Sequence, residues 1–224
     1  MALPACRVCG HESLSVFAVI HQLEYWRCDQ CVATLLADKH LPSLATERER
    51  YLQHRNDPFD PAYRAFLAAV ANPLMAHLPN AQCGLDYGCG PGPALACMMR
   101  EAGHEVRLYD PIFHPDAQAL QGTYDFVTCT EVAEHFHRPL NEFKRLDELL
   151  RPGGVLAIMT NFQRDDAAFS EWHYRRDPTH VTFYRECTFA KIAAARGWSM
   201  VMHPSNVVFM HKENGSASTT MGGS

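Results

Sequence analysis

Apolar and polar positions change their period several times along the chain, and each change marks an element. Residues 13–20 and 23–27 form two short runs suited to the arms of a ribbon. After Ser43 the chain turns charged through Glu47, Arg48, Glu49 and Arg50, the pattern of a solvated helix. Asp60-Pro61 reads as a helix start, an acid that caps free amides followed by a ring whose fixed φ suits the first turn. From there Tyr63, Phe66, Leu67, Val70 and Leu74 recur at three and four residues, one apolar stripe. Pro73 is a kink point and Pro79-Asn80 closes the helix, which is expected against the edge of the sheet that follows.

Beyond residue 81 the pattern alternates. Short apolar runs at 84–87, 106–109, 126–130 and 155–160 predict strands, with helices at 93–102 and 139–150 between them. In the second helix Leu140, Phe143, Leu146, Leu149 and Leu150 share a face, and Pro152-Gly153-Gly154 stops it. Such alternation predicts an α/β fold, a mostly parallel sheet with helices on both faces. Residues 198–202 and 207–211 flank Pro204-Ser205-Asn206 and read as an antiparallel hairpin at the sheet edge. The chain thus divides into a ribbon module at 1–34, a helical connector at 35–80, an α/β domain at 81–211 and a Gly-, Ser- and Thr-rich tail at 212–224 expected to be disordered.

Composition narrows the function. With 20 basic and 25 acidic residues the 224-residue chain carries a formal charge of −5, against a broad basic surface for nucleic acid. No apolar run approaches the roughly 20 residues of a membrane-spanning helix, and the first residues lack the layout of a secretory signal, so the expected address is the cytoplasm. Nine cysteines, an odd number, fit reduced thiols there. Cys83, Cys89, Cys97, Cys129 and Cys187 lie in apolar stretches and are expected to be inert and buried. The other four form two CxxC pairs, Cys6/Cys9 and Cys28/Cys31, eighteen residues apart. That spacing supplies four thiolates in a tetrahedron, the donor set of structural zinc, and a closed site of this kind leaves no position for substrate. His11 and His21 lie nearby and are expected at the surface.

The first strand-to-helix turn carries Leu85-Asp86-Tyr87-Gly88-Cys89-Gly90-Pro91-Gly92-Pro93. Gly88, Gly90 and Gly92 allow close approach of backbone to a ligand, but Pro93 stands where a dinucleotide fingerprint needs a small residue, which disfavours a nicotinamide dehydrogenase. Asp86 ends the first strand, where it can accept from a ligand ammonium. Asp110 ends the second, twenty residues past Gly90, where a carboxylate accepts ribose hydroxyls.

Together LDYGCGPGPAL, RLYDP, YDFVTCTEVAEHF and LLRPGGVLAIMT resemble the ordered motifs of class I S-adenosylmethionine-dependent methyltransferases, over roughly residues 81–211. The resemblance implies a Rossmann-like, seven-stranded sheet with a reversed last strand and S-adenosylmethionine above its C-terminal edge. It puts Gly88, Gly90 and Gly92 near the methionine moiety, Asp86 near its amino group, Asp110 at the ribose and Thr130-Glu131 near the sulfonium; Glu131 serves equally well as a structural acid. One departure stands out. Asp125 follows Asp110 by only fifteen residues, too few for the usual helix, strand and adenine loop, so that part of the sheet is expected shortened or missing, with Ile112 or Phe113 against the adenine.

The acceptor side is expected in the segment from Trp172 to Tyr184, dense in aromatic, imidazole and carboxylate groups. Methyl transfer is an in-line displacement in which the enzyme aligns the partners and removes a proton. His180, oriented by Asp177, is one candidate base and His135 a second, with His137 a weaker third; Asp177 and His180 could instead simply tie the loop down. Arg175 and Arg176 could clamp an anion or be solvated. The leading expectation is methylation of a small-molecule acceptor. The alternatives are an RNA or protein methyltransferase that uses the zinc ribbon for recognition, and a non-catalytic scaffold, which would have no need of the glycines and both strand-end acids.

Overall fold

A computed structural model describes residues 4–53, 56–79 and 81–214, so Asn80 and the tail beyond Asn214 lie outside the described residues. Strands β1 (Leu14–Ile20) and β2 (Leu23–Cys28) pair antiparallel within a residue of the expected ribbon arms. His21 and Gln22 join them with φ of 49° and 67°, the two-residue turn whose twist matches the strands. Strand β3 (Thr34–Leu36) adds to β2, and helices α1 (Leu44–Tyr51) and α2 (Pro61–His77) follow. Asp60 caps α2 as the sequence predicts, accepting from the Ala62 amide at 2.9 Å. The α/β part then runs β4 (Cys83–Tyr87), α3 (Ala94–Glu101), β5 (Glu105–Tyr109), β6 (Tyr124–Thr130), α4 (Pro139–Leu149), β7 (Leu150–Met159), β8 (Thr182–Phe183), α5 (Glu186–Ala194), β9 (Trp198–His203) and β10 (Val207–Lys212).

The main sheet has the order β5-β4-β6-β7-β10-β9, with the first four parallel and β10 antiparallel to both neighbours. Among the described residues it is six-stranded, not seven-stranded. The missing strand falls where the sequence left too little chain: an Asp110–His114 bridge and one 3-10 turn, Ala117–Leu120, occupy the interval. β7 starts earlier than expected because Leu150 pairs with Tyr124 across a bulge, which takes Pro152-Gly153-Gly154 into the strand.

Each face of the sheet has its own core. Leu67, Val70 and Leu74 of α2 and Leu95 and Met99 of α3 cover Val106, Phe126, Ala157 and Phe209. α2 therefore lies across a face, not at the edge, because its stripe is wide enough to bury four residues fully. Phe143, Leu146 and Leu149 of α4 and Phe189 and Ile192 of α5 cover Leu85, Val127, Leu156 and Val208 on the other face. Burying a phenylalanine such as Phe143 or Phe189 stabilises by about 2 kcal/mol. Leu140 is 40% exposed and abuts the ribbon at Gly10 instead.

The ribbon does not stop at residue 34. β3 pairs with β8, Thr34 opposite Phe183 and Leu35 opposite Thr182, so its sheet takes a fourth strand from the segment after β7. Cys6, Val8, Cys28 and Cys31 share the core of Phe143, Tyr184 and Phe189. The Thr188 hydroxyl donates to the Cys31 carbonyl at 2.8 Å, and the Leu140 amide to the Arg7 carbonyl at 2.8 Å. Of the remaining cysteines Cys89 and Cys129 are buried as expected, whereas Cys83 and Cys97 are partly exposed and Cys187 is exposed, being at the second position of α5 with its side facing solvent.

Candidate functional site

A cavity of about 1050 Å³ opens above the C-terminal ends of β4, β5, β6 and β7 and brings most of the sequence-predicted residues together. Asp86, Gly88 and Gly90 line it, as do Asp110, Ile112, Phe113, Thr130 and Glu131. Gly88 has φ of +80°, and a Cβ there would meet the Val132 side chain at 2.5 Å, so both backbone and space demand glycine. Gly92 is not on the cavity wall. A Cβ at Gly92 would stand 1.6 Å from the Asn56 carbonyl oxygen, so this glycine seats the segment leading into α2.

Asp86 is buried, accepts from the Thr128 hydroxyl at 2.8 Å, and is pushed up to about 6 by burial. Asp110 faces the cavity while its carboxylate accepts the amides of Ile112 at 2.8 Å, Phe113 at 2.9 Å and Gly90 at 3.1 Å. These bonds lock the glycine turn to the end of β5 and leave one acceptor position on Oδ2. The Thr130 hydroxyl is buried without a hydrogen-bond partner among the described residues, a polar atom that a ligand in the cavity can satisfy.

The far end of the cavity is a carboxylate-imidazole face that sequence reading only half found. Glu131 holds a left-handed φ of 53°, and burial beside Glu134 pushes its carboxyl up to about 8. Glu134 is wholly buried, accepting from Tyr174 at 2.5 Å and Thr160 at 2.9 Å; burial raises its pKa and His180 opposes the rise. The Tyr174 hydroxyl oxygen also stands 3.3 Å from Glu131 Oε2. Two histidines complete the face. His135 Nδ1 donates to the Thr179 carbonyl at 2.9 Å and His180 Nδ1 to the Tyr174 carbonyl at 2.6 Å, which turns each Nε2 toward Glu134 at 3.9 and 4.0 Å. Burial lowers the His180 pKa and favours its neutral form.

Asp177 does not orient His180, as its carboxylate is committed elsewhere. It accepts from Thr179 and takes both Arg50 Nε at 2.9 Å and Nη2 at 2.8 Å. Burial opposes these bonds, which nevertheless hold Asp177 below the usual carboxylate range. Arg50 belongs to α1, and so do Glu47, which bonds His137 Nε2 at 2.8 Å, and Tyr51, whose ring edge meets His135 at 5.2 Å. α1 is thus a roof strapped over the cavity by the Arg50–Asp177 ion pair and the Glu47–His137 hydrogen bond, while Arg48 and Glu49 stay exposed as the charged pattern suggests. Neither arginine clamps an anion: Arg175 is buried against the Phe169 and Ser170 carbonyls, and Arg176 pairs with exposed Glu171.

At the N-terminus the four cysteine sulfurs lie within 4.8 Å of one another, Cys6 from Cys31 by 3.7 Å and Cys9 from Cys28 by 3.6 Å. Four ligands about 2.3 Å from a tetrahedral ion stand about 3.8 Å apart, so the sulfurs fit one. The Val8 and Cys31 amides point at the Cys6 and Cys28 sulfurs at 3.4 and 3.5 Å, the bonds that steady thiolates. His11 and His21 are exposed, as expected.

Residues 51–203 match the family model of a methyltransferase domain. Curated relatives include ubiquinone biosynthesis O-methyltransferases from Pectobacterium carotovorum, 35% identical over 77 residues, and from Vibrio parahaemolyticus, 32% identical over 77 residues. Each match takes 34% of this chain and about a third, 32% and 33%, of the relative's own length. Among solved structures, Burkholderia thailandensis 1,6-didemethyltoxoflavin-N1-methyltransferase, with its substrate and S-adenosylhomocysteine bound, superposes with a TM-score of 0.54 at 19% identity, covering 89% of this chain and 100% of that one. An O-methyltransferase family protein from the same organism gives 0.50 at 17% identity, over 75% of this chain and 63% of that one. With more than half of its residues inside that domain match, on a sheet whose reversed β10 sits between β7 and β9, the chain belongs to the methyltransferase-domain family and has the class I fold.

Proposed function

We propose that this protein is an S-adenosylmethionine-dependent methyltransferase acting on a small-molecule acceptor. The observation that carries the reading is that the Gly88–Gly90 turn, Asp110 and the Glu134-His135-His180 face all line one cavity, with room for donor and acceptor together. Asp86 would hold the ligand's ammonium, the Gly88 and Gly90 backbone its methionine part, Asp110 its ribose and Thr130 a polar atom near Glu131. The bound ligand supplies a methyl group on a positively charged sulfur. The chain itself aligns the acceptor, keeps water out and receives the acceptor's proton at the face where His135 and His180 present Nε2. Asp177 has a positioning part here, since it fastens α1 over the acceptor. The strapped roof supports a small acceptor over a polymer, as does the homology to small-molecule O-methyltransferases.

The four cysteines are read as a structural zinc site, closed and away from the cavity, with the ribbon acting as part of the domain and not as a separate reader of RNA. Reduced thiols suit a cytoplasmic setting, and no helix of the described residues is long and apolar enough to cross a membrane. Calorimetry with S-adenosylmethionine tests the core of the reading: the wild-type chain is expected to bind and Asp110→Ala to bind at least about tenfold more weakly, since a charge-assisted hydrogen bond contributes about 1.5–3 kcal/mol. Absence of binding at millimolar ligand refutes it. Transfer of label from methyl-labelled donor to the low-mass fraction of a cell extract, and not to its RNA or protein, tests the acceptor class.

A further inference from the structure

Two groups of metal-ligating atoms occur among the described residues, and only one is the cysteine cluster. The other is Glu134, His135 and His180, whose ligating atoms lie within 4.8 Å of one another on the cavity wall. We propose that these three residues bind a first-row divalent transition-metal ion whose open positions face an acceptor oxygen. The proposal rests on the reading of this face as the acceptor side, and it replaces proton transfer to an imidazole by ionisation of the acceptor on the cation.

Orientation is the first argument. Each imidazole spends Nδ1–H on a main-chain carbonyl, Thr179 for His135 and Tyr174 for His180, which fixes the tautomer with Nε2 as the ligating atom. Both Nε2 atoms are aimed at the same carboxylate oxygen, Oε1 of Glu134, at 3.9 and 4.0 Å. Those separations are too long for hydrogen bonds. A tetrahedral ion about 2.1 Å from each ligand would hold them roughly 3.4 Å apart, a closure of about half an ångström that rotation of the side chains supplies. The carboxylate is itself held by an outer set of donors, Tyr174 on Oε1 and Thr160 on Oε2.

Chemistry is the second. Two imidazoles and a carboxylate suit first-row ions, borderline zinc and cobalt through the imidazoles and harder manganese through the carboxylate, and three protein ligands leave coordination positions open. Those positions look into the cavity that the donor would share. An acceptor hydroxyl bound there ionises more readily, its proton leaving to water and its oxygen staying on the cation. That oxygen then forms the new bond to the methyl carbon while the carbon–sulfur bond breaks, its electron pair remaining on sulfur. Acceptors that present a hydroxyl are the class such a site selects.

Mn2+ is the probe. Full-length protein with zinc in the cysteine site is titrated with Mn2+, and the free-ion electron paramagnetic resonance signal reports uptake. One saturable ion per chain is expected. His135→Ala and His180→Ala are each expected to weaken uptake by at least about tenfold, and Tyr174→Phe, which frees the carboxylate, by about tenfold. No saturable uptake by the wild-type chain at millimolar Mn2+ overturns the proposal, as does uptake that survives the His135→Ala/His180→Ala double change. Mn2+ uptake by a chain that fails to bind S-adenosylmethionine would support the cation site while refuting the proposed function.

Discussion

Replacing Asp86 by asparagine probes the donor end of the cavity with a signature in pH. Asp86 is 4% exposed, and burial pushes its carboxyl up to about 6 against the hydrogen bond from Thr128. With that value about nine-tenths of the carboxyl is ionised at pH 7 and about one-tenth at pH 5. An ammonium set against Asp86 favours the ionised form, so binding at pH 5 must expel about 0.9 proton that binding at pH 7 has already lost. Affinity for S-adenosylmethionine is therefore expected about tenfold lower at pH 5 than at pH 7, roughly 1.4 kcal/mol. Asp86→Asn removes that dependence and binds more weakly at pH 7. Calorimetry in two buffers of different ionisation enthalpy reads both affinity and proton release. Folding carries the linked sign: a raised carboxyl favours the folded chain at low pH, and from about pH 4 to pH 6 the wild type loses roughly 2 kcal/mol that Asp86→Asn keeps. A wild-type affinity that is flat in pH, or a slope that persists in Asp86→Asn, refutes the placement of the ammonium.

Other perturbations follow from the same geometry. Tyr174→Phe strips a hydroxyl shared by Glu131, Glu134 and Thr160, and should cost about 1.5–3 kcal/mol, a Tm lower by roughly 4–10 °C in thermal unfolding; an unchanged Tm contradicts the network. Gly92→Ala forces a methyl group into the Asn56 carbonyl and should lower Tm by several degrees, whereas a neutral effect would mean that the turn does not seat α2. Arg50→Ala should speed amide hydrogen exchange across α1 by opening one strap, with S-adenosylmethionine affinity kept; unaltered exchange would show that the roof is held by other contacts. Stripping metal from the cysteine site should lower the Tm of the whole chain in one transition, since the ribbon and domain share a core; an unaltered transition refutes a structural metal.

What the sequence disclosed is what is local in the chain. The glycine turn and its two strand-end acids sit within one β-α-β unit, so spacing alone aligned Gly88, Gly90, Asp86 and Asp110 on one cavity. The shortened interval after Asp110 was legible by counting residues, and the six-stranded sheet is its consequence. Gly92 was misplaced because a glycine pattern cannot say which neighbour forbids a side chain. Contacts between distant segments were beyond reach. Nothing in Glu47, Arg50 or Tyr51 announces partners 90 or 127 residues away, so the roof read as a solvated helix. Tyr174 stood in a run already marked by its density of imidazole and carboxylate, but its role depends on Glu134, forty residues earlier, and a buried glutamate looks like any other in sequence.

The pairing of β3 with β8 gives the ribbon a reason to be joined to this domain. Between Met159 and Thr182 the chain makes no strand or α-helix among the described residues, only the single 3-10 turn His173–Arg176, yet it carries His180 on the cavity wall. Such a segment pays about 1–2 kcal/mol of backbone entropy for each ordered residue and has few hydrogen bonds of its own to offset it. The ribbon offers that offset. Thr34 and Leu35 pair with Phe183 and Thr182, three and two residues past His180, Tyr25 packs on Phe169 and Phe183, and Arg27 bonds Asp166 at 2.7 Å. Behind β3 stand Cys28 and Cys31, so an ion on the four sulfurs would fix the strand to which the segment carrying His180 is pinned. On this argument a metal held by the ribbon would act on catalysis without touching it. Cys28→Ser should loosen residues 178–183 in hydrogen exchange before it affects the glycine turn at 88–90, and equal loosening at both places would break the link.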